Sequence, residues 1–336
     1  MRRTLGVLLA LGLWSGASQA RAELTPGTGL ARHPVWFGNW GAACDGQGGC
    51  SSWGMGTSWA SPGYIILATG ADGRRVITLG AYDTNHGRPL RAPLLFTLEI
   101  VDDHGHVIWS RPFPGRDESR IWLWARMTKP AEVDRALQAL AVGREARLRV
   151  DGKAEPATVV SLNGSAAALL WARSHDGVDA AAPVIRRAPP VSQARLPRSR
   201  PRWEPSEYEA ACPSDKATVK AARLAPGKVL WIATCEIGYN NDSILRLADE
   251  RGRLLETPAI ETPPGVEVGQ NFTFDPATRV LAATVYGNST WTCGDAYRWV
   301  WDGTRFRFSS RSRMDECEGM GEGDWPATYR ARIVDR

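Results

Sequence analysis

The chain has 336 residues, which is enough for two domains of ordinary size. Apolar residues make up 43% and charged residues 23%, a globular balance that excludes collagen-like, coiled-coil and wholly disordered proteins. The 34 glycines, 22 prolines and 15 tryptophans favour a turn-rich β protein over a helical bundle.

Residues 1–22 have the features of a secretory signal peptide. Arg2 and Arg3 precede an apolar stretch at 5–14, and small residues near positions 18–22 suit a cleavage site. The stretch is too short to span a membrane, and no later apolar run is long enough to do so. We therefore expect a protein that its signal peptide exports to the periplasm, with secretion as the alternative. We expect no stable membrane insertion.

The basic residues are concentrated in two segments. The chain carries 41 Lys and Arg against 36 Asp and Glu. Residues 1–22 hold three arginines and residues 183–202 hold six, with no acid in either segment. The remainder carries 32 basic and 36 acidic residues, a net charge of −4. Nucleic-acid binding needs basic residues clustered on a folded face, so we predict no nucleic-acid partner.

An N-terminal domain is predicted over 30–182, and it begins with short β patterns separated by turn signals. A helix should follow from Pro130, whose missing N–H costs nothing in an opening turn, to Gly143. The strands of this domain are predicted at 64–68, 76–81, 94–101, 107–110, 145–150 and 157–162.

A second helix is predicted after the last of these strands. Asn163 can cap it, and the helix should run through Trp171. The residues predicted to face the core are Ala166, Leu169 and Leu170.

The chain divides at 183–204, a proline- and arginine-rich segment that we predict to be an extended linker. The C-terminal domain, 205–336, shows only β patterns, at 229–234, 244–247, 272–274, 280–286, 297–301 and 306–308. The sequence therefore predicts a mainly β fold (β-rich α+β). It has an N-terminal β-sandwich-like domain with two helices and a C-terminal antiparallel β domain.

Six cysteines suit disulfides in an oxidising compartment. The linker leaves two cysteines in the N-terminal domain, where they flank a glycine-rich loop able to close a small ring. Zinc ligands or catalytic thiols are the alternative, but no Cys-x-x-Cys spacing occurs. The favoured pairs are Cys44–Cys50, Cys212–Cys235 and Cys293–Cys317.

Several segments, taken in order, resemble the bacterial domain-of-unknown-function 1176 family. They are 37–45 with Cys50, 229–231 with Cys235, 238–240, 272–276, 293–295, 299–301, 316–317 and 324–326. The resemblance covers nearly the whole chain after the signal peptide, but the chain departs from the family between Cys44 and Cys50 and at 237–239. It implies an exported protein of unknown activity and supplies no catalytic residues.

A second resemblance concerns the start of the second helix. Residues 160–164, followed by Ala167, Ala168 and Leu169, are similar to a serine-leucine-x-Gly segment of the invasion-associated locus B family. This resemblance implies an N-terminal sandwich of that kind.

Catalytic motifs are absent from the sequence. It has no His-Glu-x-x-His, P-loop or Gly-x-Gly-x-x-Gly pattern. Residues 56–60 approximate a nucleophile elbow but lack the strand before it and the helix after it. We therefore predict no catalytic residue, no cofactor and no enzymatic activity.

Two segments are candidates for metal binding. His104 and His106 stand beside two aspartates and could bind zinc or copper, although a solvated turn explains them equally well. The acidic run at 315–324 could bind calcium, but it lacks EF-hand spacing, and internal pairing is the favoured interpretation. The prediction is that no metal is bound.

Paired aromatic residues are the feature most suggestive of a ligand. Trp122 and Trp124 share one face of a strand, as do Trp299 and Trp301. Packing in the core is the favoured explanation, and stacking on sugar rings is the alternative.

The Asp302-Gly303 turn predicts a two-residue hairpin loop. That register places Arg298 opposite Arg307, so we expect a carboxylate from 315–324 near them, with an anionic ligand as the alternative. The opposite face should be a buried aromatic patch of Tyr297, Trp299, Phe306 and Phe308. The candidates for ligand contact are therefore Trp122, Trp124, Arg298 and Arg307.

These features predict a non-catalytic binding or envelope-associated interaction module, with an envelope protein or a cell-wall glycan as its partner. One alternative is a hydrolase of envelope polymers, which needs a cleft with two carboxylates or a Ser-His pair. Another is an inhibitor of a secreted hydrolase, which needs a protruding loop such as 44–60 or 315–325.

Overall fold

The computed structural model describes residues 33–58, 62–82, 94–117, 122–150, 155–175, 182–197, 201, 217–235, 238–266, 270–317 and 319–336. The predicted signal peptide and Cys212 lie outside these residues. We call 33–175 the N-terminal half and 182–336 the C-terminal half. The chain is mainly β with two helices and several antiparallel sheets, as the sequence predicts.

Ten strands of the N-terminal half form one antiparallel sheet in the order β1-β2-β3-β4-β5-β8-β7-β6-β9-β10. They are β1 Val35–Phe37, β2 Trp40–Cys44, β3 Cys50–Met55, β4 Gly63–Thr69, β5 Arg75–Tyr82, β6 Leu95–Val101, β7 Val107–Asp117, β8 Trp122–Met127, β9 Glu145–Val150 and β10 Thr158–Ser161. Val160 of β10 bridges to Gly56, just after β3, so the sheet curls and its last strand reaches the third. The enclosed face holds the main core.

Two helices complete this core. Helix α1, Pro130–Val142, begins and ends as predicted, and Val133, Ala136 and Leu140 are fully buried. Helix α2, Ser165–Ser174, meets it through the Ser165 hydroxyl, which donates to the Leu140 carbonyl at 2.7 Å.

The prediction for the start of α2 is wrong. Gly164, not Asn163, is the N-cap, because its φ of 93° and the nearby Phe37 carbonyl leave no room for a side chain. The prediction of the inward face is right for Leu169, which is buried, and wrong for Leu170, which is 66% exposed, and for Ala166, which is also exposed. The residues that face the core are Ser165, Ala168, Leu169 and Ala172.

The C-terminal half contains two antiparallel meanders that pack around a second core. The first comprises β12 Ala217–Ala225, β13 Lys228–Cys235, β14 Asp242–Ala248 and β15 Leu254–Glu256. The second comprises β16 Thr273–Asp275, β17 Val280–Tyr286, β18 Gly294–Trp301, β19 Phe306–Met314 and β20 Ala327–Arg330. A short 3-10 helix, Glu322–Asp324, precedes β20.

Part of the predicted linker is a strand of the folded C-terminal half rather than a free connection between domains. Strand β11, Val184–Arg187, pairs in parallel with the last strand, β21, Arg332–Asp335. Ile185 and Ala188 are buried in the second core. Arg223 further ties the segment down, because its guanidinium donates to the Ser192 and Ala194 carbonyls. The partner strand lies at the far end of the chain, so no local pattern could reveal this pairing.

The β18–β19 hairpin buries its aromatic face as predicted, but its register differs by two residues. Trp301 pairs with Phe306 and Trp299 with Phe308, because the loop has four residues, 302–305. The Asp302 carboxylate holds this longer loop by accepting the backbone N–H groups of Thr304 and Arg305. From Trp299 to Trp301 the shift of two residues keeps the side chains on their predicted faces, and a bulge raises the shift to three at Arg298, which lies opposite Ser310. The shift also separates Arg298 from Arg307.

The two halves share a third hydrophobic cluster. The outer face of the N-terminal sheet contributes Trp53, Met55 and Tyr64, and the C-terminal half contributes Met320 and Trp325, all buried. At its edge the Arg330 N–H donates to the Asp45 carbonyl at 2.8 Å, and the Arg330 guanidinium lies 3.2 Å from the Asp45 carboxylate. The two halves are therefore in direct contact through both apolar and charged groups.

Candidate functional site

Two loops of the C-terminal half meet at Tyr286, at the end of β17. The Asn240 amide donates to the Tyr286 carbonyl at 2.7 Å and accepts the Tyr286 N–H at 2.8 Å, so it pairs with this backbone as a strand would. The Asn271 amide donates to the Thr284 carbonyl at 2.8 Å and to the Asn240 side chain at 3.2 Å. These amides fix loop 238–241 against the strand.

Loop 287–293 presents Trp291 to solvent. This side chain is 57% exposed, and the residue has a φ of 58°, a conformation that a bulky side chain rarely adopts. Its ring centroid lies 6.5 Å from that of Tyr286. An exposed aromatic residue in a disfavoured backbone conformation indicates a position selected for something other than packing.

The surroundings of Trp291 hold this conformation in place. The Asn288 side chain donates to the Thr292 hydroxyl at 2.8 Å and accepts the Thr292 N–H at 3.1 Å. The Cys293–Cys317 disulfide closes the base of the loop, and the Thr292 hydroxyl donates to the Cys317 carbonyl at 3.2 Å. The loop is therefore preorganised.

Tyr239, on the neighbouring loop, is 41% exposed. We call Tyr239, Tyr286 and Trp291 the aromatic platform. The exposed residues beside Trp291 within its loop, Ser289 and Thr290, are uncharged and carry hydroxyl groups. The platform therefore combines apolar ring faces with neutral hydrogen-bonding groups.

The 3-10 helix lies beside the platform and links it to the N-terminal half. The Tyr286 hydroxyl donates to the Glu322 carboxylate at 2.5 Å, and burial together with this carboxylate raises the pKa of Tyr286 above its ordinary value. The Tyr64 hydroxyl donates to the Asp324 carboxylate at 2.5 Å. Each carboxylate is thus bound by a tyrosine, one from each half.

This arrangement accounts for much of the acidic run at 315–324. Asp315 pairs with Arg313 at 2.5 Å, and Asp324 also lies 3.8 Å from Arg126. Neither of the arginines predicted to need these acids is paired with them in the described residues. Arg307 instead pairs with Glu261 at 2.8 Å, and Arg298 is exposed and lies opposite Ser310. The predicted salt bridge to Arg298 or Arg307 is therefore wrong for the described acids Asp315, Glu316, Glu322 and Asp324, and Glu318 lies outside the described residues.

The two predicted tryptophan pairs have different surroundings. Trp299 and Trp301 are fully buried. Trp124 is half-buried, with the guanidinium carbons of Arg126 and Arg116 at 4.9 Å and 5.6 Å from its ring centroid. The Trp122 backbone pairs with Tyr82, and its side chain lies outside the described residues.

The metal candidates lie in a turn before β7. His104 and His106 have ring centroids 6.0 Å apart, and the Asp102 carboxylate accepts both of their backbone N–H groups. These hydrogen bonds, that of His106 foremost, lower the pKa of Asp102. Across the described ranges, no three His, Cys, Asp or Glu side chains are grouped so that they could hold a metal ion.

A Ser-His contact occurs at the end of α2, but it is a helix terminus. The Ser174 hydroxyl donates to the Trp171 carbonyl at 2.8 Å and lies 2.9 Å from His175 Nδ1. His175 Nδ1 also lies 2.8 Å from the Trp171 carbonyl, so its N–H is directed to the backbone. The hydroxyl is therefore not hydrogen-bonded as an activated nucleophile would be.

The cysteines pair as predicted where the structure describes both partners, in Cys44–Cys50 and Cys293–Cys317. Cys235 is also disulfide-bonded. The loops proposed as protruding inhibitory elements contribute buried residues to the contact between the halves, among them Asp45 and Trp325.

Sequence reasoning did not identify the aromatic platform. Trp291 is a single tryptophan in a loop, without the periodicity that marks an element. The signal that could have found it is the Gly287-Asn288-Ser289-Thr290 run directly before it, which predicts a turn and therefore an exposed ring.

Comparison with known proteins gives one family match. The model of a family described as "Protein of unknown function (DUF1176)" matches residues 172–332. This range includes the resembling segments from 229 to 326 but not 37–50, so the likeness of that first segment stays a prediction, as does the one to the locus B family. No curated protein and no solved structure matches the chain. Neither described helix has the length and apolar character needed to cross a membrane.

Proposed function

The chain belongs, through residues 172–332, to the DUF1176 family of proteins of unknown function, and from that premise we propose a binding role. The protein is an exported, periplasmic, non-catalytic module of the bacterial envelope. Its partner is a cell-wall glycan, and the aromatic platform is the surface that binds it.

The observation that carries this proposal is the exposed Trp291 ring on a rigid loop. Loops 287–293 and 238–241 are each fixed by side-chain amides and converge on Tyr286. A rigid aromatic surface loses little conformational entropy on binding. Aromatic residues of this kind carry much of the binding energy in interfaces.

The neutral, hydroxyl-bearing surroundings favour a sugar over other ligands. The C–H faces of a sugar ring can stack on Trp291 and Tyr239, while its hydroxyl groups can bond to Ser289 and Thr290. A wholly apolar partner would exclude water from these hydroxyl groups without offering a hydrogen bond in its place.

The other candidate groups support binding rather than catalysis. Glu322 and Asp324 lie on the 3-10 helix beside the platform, and each accepts a hydrogen bond from a tyrosine. A surface depression near β15 is lined by charged residues of 249–253, of which Arg253 pairs with Asp249 at 3.1 Å and Glu250 pairs with Arg223 at 2.7 Å.

Binding of glycan strands to the disulfide-bonded protein tests the proposal. Trp291→Ala should weaken the affinity about tenfold or more, equal to about 1.4 kcal/mol, because it removes the exposed ring. Tyr239→Ala should have a smaller effect in the same direction. Leu255→Ala is the matched control. Leu255 is likewise an exposed apolar residue, at 43%, but it lies on β15, away from the platform.

Thermal unfolding of each variant checks that the fold is retained. Unchanged glycan affinity in folded Trp291→Ala would overturn the proposal. Equal loss in Leu255→Ala would also overturn it, because it would indicate a general effect of removing exposed apolar surface.

A further inference from the structure

A row of side chains crosses the outer face of the N-terminal sheet. Tyr64 lies opposite Gly80, Gly80 opposite Trp124, and Trp124 opposite Arg116, on the neighbouring strands β4, β5, β8 and β7. The Tyr64 ring lies over Gly80, where a Cβ would be 2.2 Å from the tyrosine Cζ. The glycine thus provides the space that Tyr64 occupies beside Trp124.

Two arginines flank the tryptophan in this row. The Arg126 guanidinium carbon lies 4.9 Å and that of Arg116 5.6 Å from the Trp124 ring centroid. We call Arg116, Trp124 and Arg126 the arginine–tryptophan stack. Cation–π contacts hold guanidinium groups against a ring, and their N–H edges stay free for other partners.

Among the described side chains, the positive charge of this stack is incompletely balanced. In the described part of the chain, the carboxylate nearest to Arg126 is that of Asp324, at the long distance of 3.8 Å, and its other oxygen accepts the Tyr64 hydroxyl. Arg116 is exposed and has no ion pair among the described side chains. Two like charges near one ring repel each other, so an anion bound between them would be stabilised.

The stack is joined to the aromatic platform by a continuous set of contacts. From Trp291 they pass to Tyr286, from the Tyr286 hydroxyl to Glu322, along the 3-10 helix to Asp324, and from Asp324 to Arg126. The platform and the stack therefore lie along one band at the junction of the two halves.

We infer that the arginine–tryptophan stack is a carboxylate-binding site and that the glycan bound by the protein is acidic. This inference rests on the proposed function and specifies its ligand. Trp291 stacks on one sugar ring, and Arg116 and Arg126 bind a carboxylate carried further along the same strand. Glu322 and Asp324 lie between them, each bound by a tyrosine, so the ligand approaches on the exposed side of the arginines.

Matched ligands test this inference directly. One probe is a glycan strand of alternating N-acetylglucosamine and N-acetylmuramic acid, and the other is the same strand with its carboxylates converted to neutral amides. The wild-type protein should bind the acidic strand about tenfold more tightly, as expected for a charge-assisted contact worth about 1.4 kcal/mol. Added salt should reduce that preference.

Variants then identify the residues that cause the preference for the acidic strand. Arg116→Gln and Arg126→Gln together should abolish it and leave the affinity for the amidated strand unchanged. Arg74→Gln is the matched control, because Arg74 is an exposed arginine of the same half, in a turn between β4 and β5. Trp291→Ala should weaken binding of both strands.

The outcomes separate the two proposals. Equal wild-type affinity for the two strands, lost in Trp291→Ala, would overturn the carboxylate site and leave the glycan function intact. A preference that persists in the double arginine variant would also overturn the site. Binding of neither strand would overturn the proposed function and this inference with it.

Discussion

The strand residues Trp122 and Trp124 have the same spacing as Trp299 and Trp301, yet the surroundings of Trp124 differ from those of the second pair. The second pair is fully buried between the sheets of the C-terminal half. Trp124 is half-buried under two arginines on the outer face of the N-terminal sheet. Spacing of two residues along a strand predicts a shared face, but the covering of that face depends on elements far away in the sequence.

The chemistry around each ring reflects this difference. The Trp299 ring contacts Phe272 and Phe308 at centroid distances of 6.0 and 5.8 Å, and its N–H donates to the Glu261 carbonyl at 2.7 Å. Trp124 is covered by the exposed, charged side chains of Arg116 and Arg126. The first site is specialised for stability, whereas the second exposes groups that can exchange partners.

Replacement of Trp299 or Trp124 by alanine should distinguish the two sites most clearly. Trp299→Ala should lower the free energy of unfolding by about 3–5 kcal/mol, because it leaves a large cavity and an unpaired carbonyl. Trp124→Ala should cost about 1 kcal/mol or less, since its surroundings can be refilled by water and by the arginines. Urea unfolding measures both values, and similar losses would contradict the distinction.

The hairpin that carries Trp299 and Trp301 offers a second test. Asp302→Ala should lower the free energy of unfolding by about 1 kcal/mol, because the carboxylate accepts the N–H groups of Thr304 and Arg305 in the four-residue loop. Asp302→Asn keeps an acceptor oxygen and should lose less. A loss in Asp302→Asn as large as in Asp302→Ala would show that these hydrogen bonds do not hold the loop.

The titration of Tyr286, which is half-buried, should have the smallest effect on the free energy of unfolding. The effect should occur only at high pH. Its pKa is raised above 10.0 in the folded protein, first by burial and then by Glu322. Above pH 10 the unfolded chain loses this proton and the folded chain keeps it, so the stability contributed by the neutral hydroxyl falls as pH rises.

Urea midpoints compared between the wild type and Tyr286→Phe measure this effect. The decline above pH 10 should be shallower in Tyr286→Phe, which has no hydroxyl to titrate. Parallel declines in the two proteins would contradict the assignment, and the neutral-pH midpoints serve as the internal reference.

Local chemistry made much of the fold predictable. The mainly β character, helix α1 with its Pro130 start, and the disulfides Cys44–Cys50 and Cys293–Cys317 all depend on short stretches of sequence. Features that depend on distant partners were not predictable. Strand β11 forms only because β21 lies beside it, and no property of an arginine- and proline-rich segment indicates that partner.

The candidate site was less predictable than the fold. The spacing of Trp122 and Trp124 predicts a shared strand face, but Arg116 comes from β7 and joins Trp124 and Arg126 of β8 only in the folded sheet. Trp291 has no periodic neighbours, and its exposure results from the backbone conformation of loop 287–293. The carboxylates Glu322 and Asp324 belong to an acidic run that is visible in the sequence, yet their tyrosine partners are 36 and 260 residues away.

The hydrophobic cluster shared by the two halves has a consequence for the order in which the protein is made. Trp53, Met55 and Tyr64 are synthesised early, whereas Met320 and Trp325, which cover them, are among the last residues to be added. Such widely separated contacts slow folding, because a long loop must close before the contact gains anything. A chain that emerges with its N-terminus first therefore carries an open apolar sheet face until synthesis is nearly complete. Its solubility during that interval depends on whatever shields this face.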